Sequence, residues 1–252
     1  MTKKISFAER LRSGQQLIGT LISLPSPEIA ELLADVGFDW LFIDAEHGAF
    51  NPQQTQAMLQ AVAEKSPCVI RVPASDEIWI KKALDIGAAG VIVPQVHTAE
   101  QAQMIVNACK YSPEGNRGVG IGRAHRYGMK FEEYLQTANK TTAVIVQAES
   151  RQAVDNIDAI AAVDGVDAIL IGPYDLSASL GKIGQVQDPV VLSAIEQIQQ
   201  ACNKHNVKLG YFGVSAEAVM PAIERGFTLI TVGVDCLFVQ QSAQRTLETL
   251  RG

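Results

Sequence analysis

Eight β-rich apolar runs, each followed by a segment of helical period, predict an α/β chain closed as a TIM (β/α)8 barrel. Two further observations support that class. A unit of helix, glycine and strand recurs at Gly37, Gly87, Gly165 and Gly226, as one supersecondary module reused would give. The 252 residues also match the usual length of one such barrel. The chain is therefore read as a single barrel domain spanning 1–252. An open doubly wound sheet fits less well, because the stretch GTLISLPSP after the first run lacks the GxGxxG spacing of a dinucleotide-binding turn.

The predicted strands are LIGTLISL (17–24), WLFIDAEH (40–47), CVIRVPA (68–74), GVIVPQV (90–96), TAVIVQAES (142–150), DAILIGPYD (167–175), VKLGYFG (207–213) and LITVGVD (229–235). Near-continuous apolar strands of this kind suit a parallel sheet covered by helices. SPEIAELLADVG, NPQQTQAMLQAVAEK, DEIWIKKALDIG and SAEAVMPAIERG are helical segments opened by Ser, Asn or Asp, and three of them close on Gly. One long irregular stretch, SPEGNRGVGIGRAHRYG (112–128), falls between the fourth and fifth strands. Its glycines do not form a Walker loop. It is expected to leave the C-terminal face of the barrel, as a flexible excursion, a lid or a contact with a neighbouring subunit.

The net charge of −6, from 21 basic and 27 acidic side chains, comes without a basic run. Nucleic acid and anionic membranes are poor partners for such a chain, and a small organic substrate fits better. MTKKISFAERLRSGQQ is charged and helical in pattern rather than a signal peptide, and no apolar stretch reaches the roughly 20 residues of a membrane span. A cytoplasmic protein is expected. Cys68, Cys109, Cys202 and Cys236 are widely spaced with no CxxC motif, which suits reduced, partly buried thiols better than zinc or disulfides.

In a parallel barrel the residues that finish the strands converge on one mouth. The polar groups so placed are Asp44, Glu46, His47, Arg71, Gln95, His97, Gln147, Glu149 and Asp175. Glu149 and Asp175 end successive strand runs and emerge side by side, a hard-oxygen pair suited to a divalent metal with open positions. Helix capping or ion pairing with Arg71 or Arg123 is the structural alternative for them. Arg71, inside the apolar CVIRVPA, needs an anionic partner, either a structural carboxylate or a substrate enolate or carboxylate. His47, just past a strand-end Asp-x-Glu, suits proton transfer near neutral pH. His125 and His205 read as surface residues, and YFG (211–213) as barrel and rim packing. No strand ends in lysine: Lys65, Lys81, Lys82 and Lys182 fall in helices or loops, so Schiff-base chemistry is disfavoured and polarising a carbonyl would pass to a metal.

FDWLFIDAEHGAFN, CVIRVP, LDIGAAGVIVPQV, SPEGNRGVGIGRAHRYG, VIVQAES and ILIGPYDLSASLG, in that order and spacing, resemble the HpcH/HpaI family of class II pyruvate aldolases over nearly the whole chain. The resemblance implies an aldehyde-lyase that reversibly splits 4-hydroxy-2-oxo acids into pyruvate and an aldehyde. It implies a divalent ion, Mg²⁺, Mn²⁺ or Co²⁺, held by Glu149 and Asp175. Arg71 would stabilise the enolate oxygen, and His47 with Asp85 of the LDIGA motif would transfer protons through water. Gln147 and the backbone at Gly172, Pro173 and Tyr174 would hold the pyruvate moiety. A homo-hexamer, a dimer of trimers with the C-terminal helix packed on a neighbour, is also implied. Tyr174 and Leu21 depart from the family pattern and leave the aldehyde side of the pocket open. The same enolate site would serve a lyase on malyl-type CoA esters or an oxaloacetate decarboxylase, and a catalytically silent oligomeric binding barrel is the non-enzymatic reading.

Overall fold

The computed structural model describes residues 5–252; Met1–Lys4 of the predicted N-terminal helical stretch lie outside them. In chain order the elements are α1 (Phe7–Arg12), β1 (Leu17–Ile22), α2 (Pro27–Val36), β2 (Trp40–Asp44), α3 (Pro52–Val62), β3 (Cys68–Arg71), α4 (Glu77–Asp85), β4 (Gly90–Val93) and α5 (Ala99–Cys109). After a short 3-10 segment (Arg123–Gly128) follow α6 (Phe131–Thr141), β5 (Ala143–Ala148), α7 (Arg151–Asp155), α8 (Ile157–Ala161), β6 (Ala168–Ile171) and α9 (Pro173–Ser179). The chain ends with α10 (Pro189–His205), β7 (Lys208–Gly213), α11 (Ala216–Glu224), β8 (Leu229–Val234) and α12 (Asp235–Arg251).

All eight predicted strands form, each parallel to the next, and β8 pairs with β1 to close the barrel. Most end earlier than the apolar runs do: Glu46, His47, Glu149 and Asp175 lie in the loops or helix starts that follow β2, β5 and β6. The recurring glycines at 37, 87, 165 and 226 all have φ between 87° and 100°. This left-handed conformation, cheap only for glycine, reverses the chain from helix to strand. Ser26, Asn51, Asp76, Thr98, Ser150 and Ser215 each accept a backbone N–H from the first turn of their helix.

Strand alternation splits the core in two. Leu41, Ile43, Ile70, Val91, Val144, Val146, Ile169 and Ile171 point outward and pack under the helices. Trp40, Phe42, Val69, Ile92, Ile145 and Leu170 point inward and fill the barrel. Phe7 and Leu11 of α1 join this inner cluster from the N-terminal end, with the Phe7 ring 5.7 Å from that of Trp40. Arg12 pins α1 by bonding both carboxylate oxygens of Asp167. The barrel is thus plugged at that end, and its chemistry is left to the C-terminal mouth.

The 112–128 stretch departs from the expectation. It follows α5, which has already run back along the barrel, so it leaves from the N-terminal end and cannot cover the mouth of its own chain. Arg117 binds Asp85 at 2.7 Å and lies over the Tyr111 ring, 4.6 Å from its centroid. Arg123 donates to the carbonyls of Ile86 and Leu59 at the ends of α4 and α3. His125 is not a surface residue: it is 2 % exposed, and its ring accepts the Gly128 N–H and meets Phe131 edge-on at 5.1 Å. His205 remains at the surface beside Asp158. At the other extreme, every residue of α12 from 238 onward is exposed. Among the described residues no helix is long and apolar enough to cross a membrane.

Candidate active site

The inward alternation that buries Trp40 and Phe42 carries on to Asp44. In the same way Val69 leads to Arg71, Ile145 to Gln147 and Glu149, and Leu170 to Gly172. The polar residues face the mouth because they continue the core-facing register one or two steps beyond the packed layers. Asp44 and Arg71 are 3 % and 8 % exposed and form a two-pronged pair, with Arg71 Nε 2.8 Å from Asp44 Oδ1 and Nη2 2.7 Å from Oδ2. Arg71 Nη1 lies 3.2 Å from Glu46 Oε2 and turns toward Gln147 Oε1 at 3.4 Å. Burial works to lower the Arg71 pKa, but the bonds and charges of Asp44, Glu46 and Glu149 outweigh it and raise it. Asp44 Oδ1 also accepts the backbone N–H groups of Glu46 and His47, which shapes the turn that follows β2.

Glu149, 4 % exposed, is held at both oxygens. Oε1 accepts the Gln95 N–H at 2.8 Å, and Oε2 accepts Gln147 Nε2 at 2.6 Å. Gln95 offers that N–H from a left-handed backbone, φ 58°, an unfavourable conformation for a residue with a side chain. Burial first, then the charges of Asp175 and Glu46, push the Glu149 pKa up to about 7 against the opposing Gln95 N–H and Arg71. Glu46 is also raised, chiefly by burial, with Asp44 and Asp175 adding to it and Arg71 and His47 opposing.

Four carboxylates, those of Asp44, Glu46, Glu149 and Asp175, therefore act on one region that contains one guanidinium. The surplus of hard oxygen donors and negative charge fits a divalent cation. Gly172 fits it too: a Cβ there would lie 2.8 Å from Glu149 Oε2 and 3.1 Å from Gln147 Nε2, filling the space beside the donor oxygens. Among the described residues no group of three or more His, Cys, Asp or Glu side chains is placed to hold a metal ion. A Glu149–Asp175 pair alone would need water or substrate oxygens to complete the coordination of an ion.

His47 is at the mouth, its side chain 66 % exposed and Nε2 3.9 Å from Glu46 Oε2. Asp175 is exposed in the first turn of α9, whose first two residues are Pro173 and the partly exposed Tyr174, with Gly172 as the cap. Asp85 is not with them. It ends α4, which runs antiparallel to the strands, so its carboxylate sits at the N-terminal end with Arg117 and does not pair with His47 of its own chain. The helix-capping alternative for Glu149 is not realised, since Ser150 caps α7, and Arg123 is engaged elsewhere.

A cavity of about 300 Å³ opens onto Asp44, His47, Arg71, Gln147, Gly172 and Asp175, with Glu149 held behind Gln147. Its wall includes Arg71, Gln147, His47 and Asp175 on one side and Leu21, Phe212, Val234 and Tyr174 on the other, with no lysine. Tyr211, by contrast, packs against Phe227 as expected of the YFG stretch. Sequence reasoning left out Asp235, although it ends the eighth predicted strand. Asp235 is 2 % exposed and accepts the N–H groups of Ser23, Leu24 and Cys236, stitching the loop after β1 to the start of α12. The backbone N–H of Gln95 was also missed, and nothing short of the folded loop would reveal it.

Fold and site together define a (β/α)8-barrel enzyme with an oxygen-rich polar site at its strand ends. The chain belongs to the HpcH/HpaI aldolase/citrate lyase family, whose model matches residues 18–241. It is 47% identical over 71% of its length to a 4-hydroxy-2-oxovalerate aldolase of Novosphingobium aromaticivorans, covering 69% of that protein. A 2-keto-3-deoxy-L-rhamnonate aldolase of Klebsiella pneumoniae is 40% identical over 96% of this chain and 91% of its own. A crystal structure of a family protein from Burkholderia cenocepacia superposes with a TM-score of 0.93 at 38% identity, covering 97% of this chain and 98% of that one.

Proposed function

We propose that this protein is a metal-assisted aldolase that reversibly cleaves 4-hydroxy-2-oxo acids into pyruvate and an aldehyde. The observation that carries the reading is the convergence of buried Arg71, exposed His47 and Asp175 on one cavity without a lysine, with buried Glu149 bonded to the Gln147 side chain of its wall. Glu149 and Asp175 would hold the ion, with Gln147 beside them. When bound, a divalent ion supplies Lewis-acid polarisation of the 2-oxo group.

Asp44 locks the guanidinium of Arg71 in one orientation, so its charge is in place before the reaction begins. Arg71 then favours the enolate oxygen over the ground-state ketone. His47 would take the proton of the 4-hydroxyl, directly or through water. The C3–C4 bond breaks, its electrons pass to the enolate, and a proton returned to C3 gives pyruvate. Asp85 of the same chain cannot assist His47. Its implied role therefore requires a second copy to bring its N-terminal end to this mouth.

The exposure of Phe238, Val239, Leu247 and Leu250 along α12 supports packing of that helix on a neighbouring subunit in a hexamer. Four free cysteines, three of them buried, suit the reducing cytoplasm. The reading is tested by NMR of pyruvate in D₂O with enzyme and Mg²⁺, Mn²⁺ or Co²⁺. Methyl exchange that stops with a chelator and in Glu149→Ala is expected. No exchange with any of these metals overturns the aldolase.

A further inference from the structure

The mouth of the barrel has two unlike halves. The arc formed by β2, β3, β5 and β6 leads to the charged groups Asp44, Glu46, Arg71, Glu149 and Asp175. The arc formed by β7, β8 and β1 presents Phe212, Val234 and Leu21 to the same cavity. Tyr174, 41 % exposed at the start of α9, inclines over this second arc with its ring 6.3 Å from that of Phe212.

The Ser23 hydroxyl and Asp235 on the apolar arc are already engaged, which leaves the uncharged Tyr174 hydroxyl and Cys236 thiol as its polar groups. Ser23 Oγ donates to Asp235 Oδ1 at 2.7 Å, and the same carboxylate takes the N–H groups of Ser23 and Cys236, with Leu24 on its other oxygen. Among the described residues, Arg71 is the one lysine or arginine in the cavity wall. Its Nε and Nη2 are taken by Asp44 and its Nη1 faces Glu46. A substrate that lays its 2-oxo acid head on the charged arc must lay its other end on Leu21, Val234, Phe212 and Tyr174. From the residues of its own chain a carboxylate there would lose hydration without gaining a cation, and would face the negative charge of Asp175. An alkyl or aryl group would lose nothing and would cover apolar surface.

We infer that the acceptor half of the site takes an uncharged aldehyde with an apolar substituent, and that Tyr174 and Phe212 select it over an aldehyde of equal length ending in a carboxylate. This rests on the aldolase reading and names its acceptor class. The test uses the full-length enzyme with Mn²⁺, pyruvate as donor, and two four-carbon acceptors, butanal and 4-oxobutanoate. Aldol addition to butanal is expected to have a kcat/KM at least about tenfold higher, the scale on which an apolar pocket discriminates.

Tyr174→Ala should shrink that ratio, and Tyr174→Lys, which places an ammonium on the apolar arc at an exposed position, should shrink it further or invert it. A ratio at or below one in the unaltered enzyme, or a ratio unmoved in both variants, overturns the inference. Methyl exchange of pyruvate without any aldehyde separates the two levels. Exchange together with a preference for 4-oxobutanoate removes the acceptor class and leaves the aldolase standing, whereas no exchange removes both.

Discussion

Replacing Asp44 by Asn tests the site at the point where structure and chemistry meet. The side chain keeps its size, but one of the two oxygens that accept from Arg71 Nε and Nη2 becomes an amide with hydrogens pointing at a guanidinium. The side chains of the pair are 9 % and 4 % exposed, so solvent screens little of the loss. Breaking a buried pair by neutralising one partner costs about 3–5 kcal/mol. Glu46, 3.2 Å from Arg71 Nη1, remains to share the charge and puts the expectation near the lower end, about 3 kcal/mol. In a domain of this size that corresponds to a fall in Tm of roughly 6–12 °C.

On the proposed mechanism the catalytic effect would work through Arg71, whose guanidinium Asp44 holds in place. Misplacing one donor that stabilises an oxyanion lowers turnover about 100- to 1000-fold. Pyruvate methyl exchange at saturating metal measures that loss, and thermal unfolding measures the stability. Asp44→Glu, which restores the charge at a different reach, should recover stability more than exchange. An Asp44→Asn enzyme that melts within about 2 °C of the parent, and exchanges at the parent rate, would refute the claim that this pair sets the geometry of the site.

Protons should compete with the metal at Glu149, whose pKa burial pushes up to about 7. Affinity by calorimetry should therefore fall about tenfold between pH 8 and pH 6. In the metal-free protein the raised pKa means the folded state binds the extra proton. Its contribution to stability is complete below the unfolded value of about 4.5 and is lost as pH rises through about 7, so urea midpoints should fall over that window. Gly172→Ala puts a Cβ 2.8 Å from Glu149 Oε2 at a backbone φ of −92° that alanine accepts. Metal affinity should drop sharply while the melting temperature changes little, and a parent-like affinity would contradict the close approach. His47→Ala should depress carbon-carbon cleavage about 100-fold or more while calorimetric metal affinity holds. An equal loss of both would assign the exposed imidazole a structural role.

Much of the fold was legible because its signals are local. β-branched runs, capping side chains and glycines at the helix-to-strand reversals each act within a few residues, and alternation within a strand already separates Trp40, Phe42 and Asp44 from Leu41 and Ile43. The site candidates followed from one geometric rule, that parallel strands end together. Direction along the barrel was harder to keep in view. Asp85 and the 112–128 stretch both come after a helix that has turned back, which places them at the end opposite to His47. His125 looked like a loop histidine because nothing in RAHRYG announces Phe131 and Tyr134 closing over it.

The sequence by itself determined the eight-unit barrel and the residues whose chemistry must meet at its mouth, since periodicity and residue type are properties of the chain. Only the tertiary structure decided which carboxylates neutralise Arg71, how burial raises Glu149, and that the cavity is charged on one arc and apolar on the other. Those outcomes depend on distances between strands far apart in sequence. Coulomb energy, desolvation and packing are functions of that separation and of the water excluded, neither of which is written in residue order.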